Sequence, residues 1–259
     1  MDLSNQYTLK FVALVLIFVV GVAGGLGALG AHRSEQREAL FSLGSALAAG
    51  IFLGAGLIHL LPDGIAALTS YFGVLDFPLG FLIAALGFLL VVYVEMVYLA
   101  GKHGPDDDAG PAVTAYALIV ILSIHSILAG AALGTEDTLV GSLVIFLAII
   151  AHKGAAAFAL GVEFQRSGFD RWKYMRLMLL FASMTPLGIV LGAGLDHLLQ
   201  DRHGRLFEGI FDSLAAGTFL YIAIIEIIGK EFSAKSRMGL KFVMLCAGIG
   251  LMAVIALWT

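Results

Sequence analysis

Eight apolar stretches, each about 20 residues long and divided by short polar punctuation, fill nearly the whole of this chain. Each can cross the ~30 Å hydrocarbon core of a bilayer as a helix. They lie near residues 9–31, 39–61, 78–100, 112–134, 139–163, 176–199, 207–229 and 239–258. Backbone in lipid must satisfy its own hydrogen bonds, which leaves helices or closed barrels, and stretches of this length select helices. The expected fold is therefore all-α: a polytopic integral membrane protein with eight transmembrane helices, forming one domain over residues 1–259. No room remains for a soluble catalytic domain. Composition agrees, with 60% hydrophobic and 13% charged residues, far from a soluble domain.

The first stretch is long enough to span and no small-residue cleavage pattern follows it, so it is expected to stay in the membrane. The formal net charge of -4 comes with basic residues scattered through loops, which gives no footprint for nucleic acid. The single cysteine, Cys246, rules out an internal disulfide and a thiolate cluster. Its place in the last apolar stretch reads as packing.

Lysine and arginine divide unequally between the two sides. Lys10, Arg202 and Arg205 fall on one side, eleven others on the opposite side, and Lys153 lies inside the fifth stretch. The positive-inside rule then places both termini outside, in a plasma (inner) membrane. Glycines one turn apart, Gly50 with Gly54, Gly130 with Gly134 and Gly188 with Gly192, read as seams of close helix approach. Pro62 is expected to close the second helix, and Pro186, after Thr185, to free a carbonyl and bend the sixth.

Ionisable groups deep in a bilayer cost ~2.5–3.5 kcal/mol each and mark pathways more often than packing. The fourth stretch carries His125 and Ser126, and the fifth carries His152 and Lys153. Residues 135–138 are so short a turn that the two helices are antiparallel neighbours. With ~1.5 Å rise per residue, His125 lies about 14 Å and His152 about 20 Å below that turn, so the two meet near mid-bilayer. One buried histidine alone is better explained by an interhelical hydrogen bond. The pair at matched depth, with Lys153 beside it, favours an ion or proton site, since neutral imidazole suits zinc and its first-row neighbours.

His59 and Asp63 stand four apart on one face at the outer end of the second stretch and read as a mouth site. Glu95 and Glu226 lie toward the cytoplasm on the third and seventh stretches, while Asp196 and His197 mark the outer end of the sixth. The loop KHGPDDDAG (102–110) and the pair Glu136 and Asp137 read as solvated turns. No HExxH occurs, and no acid stands one turn from His125 or His152 to activate a water, which argues against a membrane-embedded metal hydrolase.

These motifs resemble the ZIP family of divalent metal transporters. AAGIFLGAGLIHLLPD (48–63), HSILAGAALG (125–134), HKGAAAFALG (152–161), SMTPLGIVLGAGL (183–195) and SLAAGTFLYIAIIEI (213–227) are similar to that family's second, fourth, fifth, sixth and seventh helices. The resemblance implies transport of a divalent cation toward the cytoplasm, zinc foremost and iron or others also admitted. The site would lie between the fourth and fifth helices, with no organic cofactor. It implies metal contacts from His125, Ser126 and His152 with Lys153 as a charge-tuning residue, to which the reading of the polar residues adds His59, Asp63 and Glu95 as metal contacts and Glu226 on the pathway. Its partners are the metal ion and the lipid bilayer, and a homodimer is compatible.

Two positions depart from the family's pattern. Ala129 stands where a carboxylate is expected one turn after His125, and Ala156 where two-metal members carry another; His152 with Lys153 matches the lysine-bearing branch. The motif itself then offers a divalent ion no negative charge, which low dielectric penalises. Three resolutions follow: Glu95 or another acid supplies the charge, Lys153 is neutral, or the chain is a degenerate relative that serves as a metal sensor or interaction subunit without ordinary zinc transport.

Overall fold

The computed structural model describes residues 3–29, 35–93, 110–194, 202–233 and 235–257. The described residues form α1 (Leu3–Ala28), α2 (Glu35–Gly54), α3 (Leu61–Phe72), α4 (Leu79–Val92), α5 (Gly110–Thr135), α6 (Leu139–Arg166), α7 (Arg171–Gly194), α8 (Arg202–Tyr221), α9 (Lys230–Ser233) and α10 (Met238–Ile255). Two π-helical segments are inserted without a break, Ala55–Leu60 between α2 and α3 and Ile222–Gly229 between α8 and α9. Seven of the resulting helices are long and apolar enough to cross a membrane, and Leu79–Val92 is a shorter apolar helix at the third expected span. Glu95, the 102–110 loop, Asp196 and His197 lie outside the described residues.

The surface is inverted relative to a water-soluble protein. Phe11, Val19, Phe81, Leu86, Val120, Val190 and Phe242 are all exposed, as suits side chains that meet acyl tails. The polar residues His125, Ser126, His152, Lys153, Glu163, Thr185 and Glu226 are buried. Cys246 is exposed on α10, so the packing role expected for it is not the one it has.

The second helix does not stop at Pro62. It runs on through α3 to Phe72, so the expected boundary near residue 61 is wrong. A proline inside an α-helix lacks a donor for, and collides with, the carbonyl four residues back. Here the ladder has already switched: the Leu61 N–H donates to the carbonyl of Gly56, five residues back. Pro62 then falls in the first turn of the resumed α-helix, where proline is tolerated, and the helix continues past it. Nothing in the sequence of the second π segment, IAIIEIIG, offers a comparable cause. The sixth helix begins at Arg171 rather than near 176, because the Asp170 carboxylate accepts from the backbone N–H groups of Trp172 at 2.9 Å and Lys173 at 3.1 Å. These bonds hold the Asp170 carboxyl below its usual range.

Small residues set which helices touch. A Cβ on Gly130 would stand 2.2 Å from the Thr185 carbonyl oxygen, and one on Gly188 would stand 2.1 Å from that of Ile127. No side chain fits there, so α5 and α7 meet backbone to backbone. Gly50 approaches Leu245 and Gly248 in the same way and joins α2 to α10. Helix α1 packs on α6 and α7, while α8 packs on α3 and α4. At the centre, α5, α6, α8 and the first π segment enclose the buried polar residues.

Candidate metal centre

The short hairpin places α5 against α6. Glu136 accepts from the Thr138 N–H at 2.8 Å, and the Thr138 hydroxyl accepts from the Gly141 N–H at 3.0 Å, capping α6. From that turn, the two helices carry His125 and His152 to ring centroids 5.7 Å apart. The expectation of matched depth on facing helices describes this contact.

His59 joins them, 6.2 Å from His152 between ring centroids. The reading of His59 as a mouth residue is therefore too shallow. The π segment changes the angular register just ahead of Pro62, and such insertions re-aim side chains. Asp63 stays nearer the surface, with an oxygen 2.7 Å from His59 Nδ1. That contact lacks the alignment of a hydrogen bond and is best described as a close electrostatic contact. Asp63 thus connects the surface to the histidine cluster.

Neither ring nitrogen of His125 has a hydrogen-bond partner among the described residues, and His152 Nδ1 has no aligned one. Buried polar atoms without partners are rare because each forfeits ~1–3 kcal/mol. These nitrogens border a cavity of about 10 Å³, room for about one water. Ser126, Lys153, Thr185 and Phe219 also line it, together with Ala129 and Ala156. Both alanines that depart from the expected motif therefore face the same small space as the histidines.

Ser126 is already engaged. Lys153 Nζ donates to the Ser126 hydroxyl at 3.0 Å and to the Phe181 carbonyl at 3.1 Å, and sits 3.8 Å above the centre of the Phe181 ring. Its stem passes Gly21 of α1, where an added Cβ would come to 3.4 Å of Lys153 Cε. Lys153 is 2% exposed, so a buried amine borders the cavity where carboxylates were expected. No group of three His, Cys, Asp or Glu side chains among the described residues converges closely enough to hold a metal as it stands. The arrangement offers nitrogen donors from three helices and leaves the enclosure incomplete.

Several residues here escaped the sequence reading. The Thr185 hydroxyl is buried, lacks a partner and lines the cavity; its signal was a hydroxyl just before a proline in an apolar stretch. Phe219 lies 5.2 Å from His125 and 6.2 Å from His152 between ring centroids. It also meets Phe52 edge-on at 4.9 Å. Phe52 lines a second chamber toward Glu226, while Leu122 lines both chambers. Phe52, Phe219 and Leu122 thus form an apolar partition between them.

The second chamber is bordered by Glu163, Glu226 and Glu231. Glu226, expected on the pathway, has its Oε2 held by Lys230 and its Oε1 buried without a partner. Asp212 stands seven residues before Phe219, two turns along the same face of α8, while Glu226 lies beyond them in the π extension. Half-buried Asp212 feels the charges of Asp63 and Glu208 at the end of the bundle opposite Glu226.

The family model for the ZIP zinc transporter matches residues 7–112 and 99–256. The chain belongs to the ZIP zinc transporter family. It is 32% identical over 256 residues to zinc transporter ZIP1 of Homo sapiens, covering 85% of this chain and 79% of that protein. With zinc transporter ZIP2 of Homo sapiens it shares 29% identity over 276 residues, covering 88% of each. Protein zntD of Dictyostelium discoideum is 36% identical over 147 residues, 55% of this chain and 21% of zntD. Membership gives an integral membrane protein and agrees with the helical bundle.

Proposed function

We propose that this ZIP family member carries a divalent cation, zinc foremost, across its membrane through the cavity between α5 and α6. The observation that carries the reading is His125, buried in an apolar bundle with both ring nitrogens unpartnered, His152 beside it and His59 beside His152 in turn. A structural histidine would have its nitrogens satisfied. A transport site must bind without holding, and nitrogen donors spread over three helices give a cage that closes only transiently.

The ion enters from the extracytoplasmic side past Asp63 and Asp212. It is ligated by His59, His125 and His152, with Ser126 available when Lys153 swings off. Glu95 is the other acid proposed to compensate its charge. The ion leaves past the Phe52–Phe219 partition and Glu226 to the cytoplasm. The Lys and Arg asymmetry of the loops supports this polarity and extracytoplasmic termini in the plasma membrane. Movement of α1, α5, α6 and α7 relative to α2, α8 and α10 exposes the site alternately.

The test is metal accumulation in cells that lack other uptake systems. It rises with expression of this chain and falls to background with His125→Ala or His152→Ala; an unchanged uptake in both variants defeats the proposal. A non-transporting metal sensor is the second reading, favoured by Ala129 and Ala156 lining the cavity. Ala129→Glu separates the two. A large gain from a near-zero baseline supports the sensor, and solid wild-type uptake removes it.

A further inference from the structure

Glu163 stands eleven residues beyond His152 on α6, close to three helical turns and about 16 Å along the same face. It is 5% exposed and Glu226 is 4% exposed, and both border the second chamber, about 20 Å³ in volume. Two observations mark this as more than a group of acids. Glu226 Oε1 and the Ser45 hydroxyl are buried at the chamber wall, and neither has a hydrogen-bond partner.

The three neighbouring cations match the three carboxylates in number but are unevenly placed. Arg166 approaches Glu231 at 3.8 Å, and Lys241 lies 3.5 Å from the Glu231 carboxylate and donates to its backbone carbonyl at 2.5 Å. Both are committed to Glu231, which also accepts from the Ser42 hydroxyl at 2.5 Å. Lys230, half exposed, holds one oxygen of Glu226. Among the described residues Glu163 makes no ion pair. Glu163 and Glu226 thus share one peripheral lysine, and inside the apolar enclosure Glu163 has no ion pair and Glu226 Oε1 no partner, an arrangement that suits an incoming cation.

We infer that Glu163, Glu226 and Ser45 form a second, oxygen-lined station for the divalent cation, separated from the imidazole cavity by Phe52 and Phe219 and capped by Lys230. The inference rests on the transport reading above and adds to it a handover from nitrogen to oxygen ligands, a change that loosens the hold on zinc. Lys230 acts as a tethered competitor: the arriving ion displaces it from Glu226, and its return expels the ion toward the cytoplasm. The carboxylates are not drawn onto one point in this conformation, as a station occupied by its lysine requires.

The test uses the full-length protein in detergent with Cd²⁺ as the probe, measured by competition against a fluorescent chelator. A His125→Ala, His152→Ala double variant retains one weak Cd²⁺ site. Adding Glu163→Gln weakens that site by about tenfold or more, Glu163→Asp restores it, and Lys230→Met tightens it. In proteoliposomes, Glu163→Gln lowers kcat for Zn²⁺ while leaving KM on the entry side within about twofold. Cd²⁺ binding by the double variant that ignores both Glu163→Gln and Lys230→Met overturns the station. Cd²⁺ binding of the expected pattern in a protein that moves no Zn²⁺ overturns the transport reading alone.

Discussion

Removing the Lys153 amine with Lys153→Met tests the electrostatics of the upper cavity directly. Lys153 Nζ lies 3.0 Å from the Ser126 hydroxyl oxygen, and a zinc–oxygen bond is about 2.1 Å. An ion ligated by Ser126 with the lysine in place therefore sits no more than about 5 Å from the amine. With a single and a double positive charge at that separation and an effective dielectric near 20, the repulsion is about 6.5 kcal/mol. That corresponds to nearly five decades of affinity for a charged amine that stays in place.

The lysine evades part of that cost by turning away, so the realised gain is smaller, about tenfold or more in equilibrium Cd²⁺ or Zn²⁺ affinity. The substitution also strips the Ser126 hydroxyl and the Phe181 carbonyl of a donor, a loss of about 1–3 kcal/mol in stability. Relief from enclosing an amine offsets it. Binding is read by chelator competition on purified protein, and flux by an indicator trapped in proteoliposomes. Tighter binding accompanied by slower release is the expected pair, with His125→Ala in the same background returning the affinity toward wild type. A Lys153→Met protein that binds no more tightly than wild type refutes a charged Lys153 beside the bound ion.

Other perturbations address the partition, the seams and the caps. Phe52→Ala opens the apolar wall between the two chambers and removes its edge-on contact with Phe219; cation leak down an imposed gradient rises, with about 3–5 kcal/mol of stability lost, and an unaltered leak contradicts the gating role. Gly188→Ala puts a Cβ against the Ile127 carbonyl, so α5 and α7 separate and the unfolding midpoint in detergent falls; Gly239→Ala, where the space is open, leaves it in place. Asp170→Ala removes the cap of α7 and lowers the midpoint at neutral pH. Because hydrogen bonding to the backbone of Lys173 and Trp172 lowers the Asp170 pKa, the cap's contribution is present above the unfolded-state pKa. It is lost as pH falls through the folded value, so the variant and wild type converge in acid.

What could be read from the sequence is what costs free energy regardless of neighbours. His125, His152 and Lys153 are expensive at mid-bilayer whatever packs around them, and hairpin length alone fixed that their helices are adjacent. Membrane class and most spans follow from the same argument, because lipid enforces them residue by residue. Thr185, Phe219 and Glu163 were silent for the opposite reason. A hydroxyl, an aromatic ring and an acid near a helix end are each ordinary, and only the approach of α7, α8 and the second chamber gives them a task. The most instructive case is Pro62, whose steric rule was applied correctly and led to the wrong boundary. The rule excludes proline from a helix interior, and a helix can meet it by ending or by restarting its α ladder so that the proline falls in a first turn. Here it restarted after the π segment that carries His59, whose ring lies beside His152. The helix that continues past this proline thus brings a third imidazole to the histidine cluster.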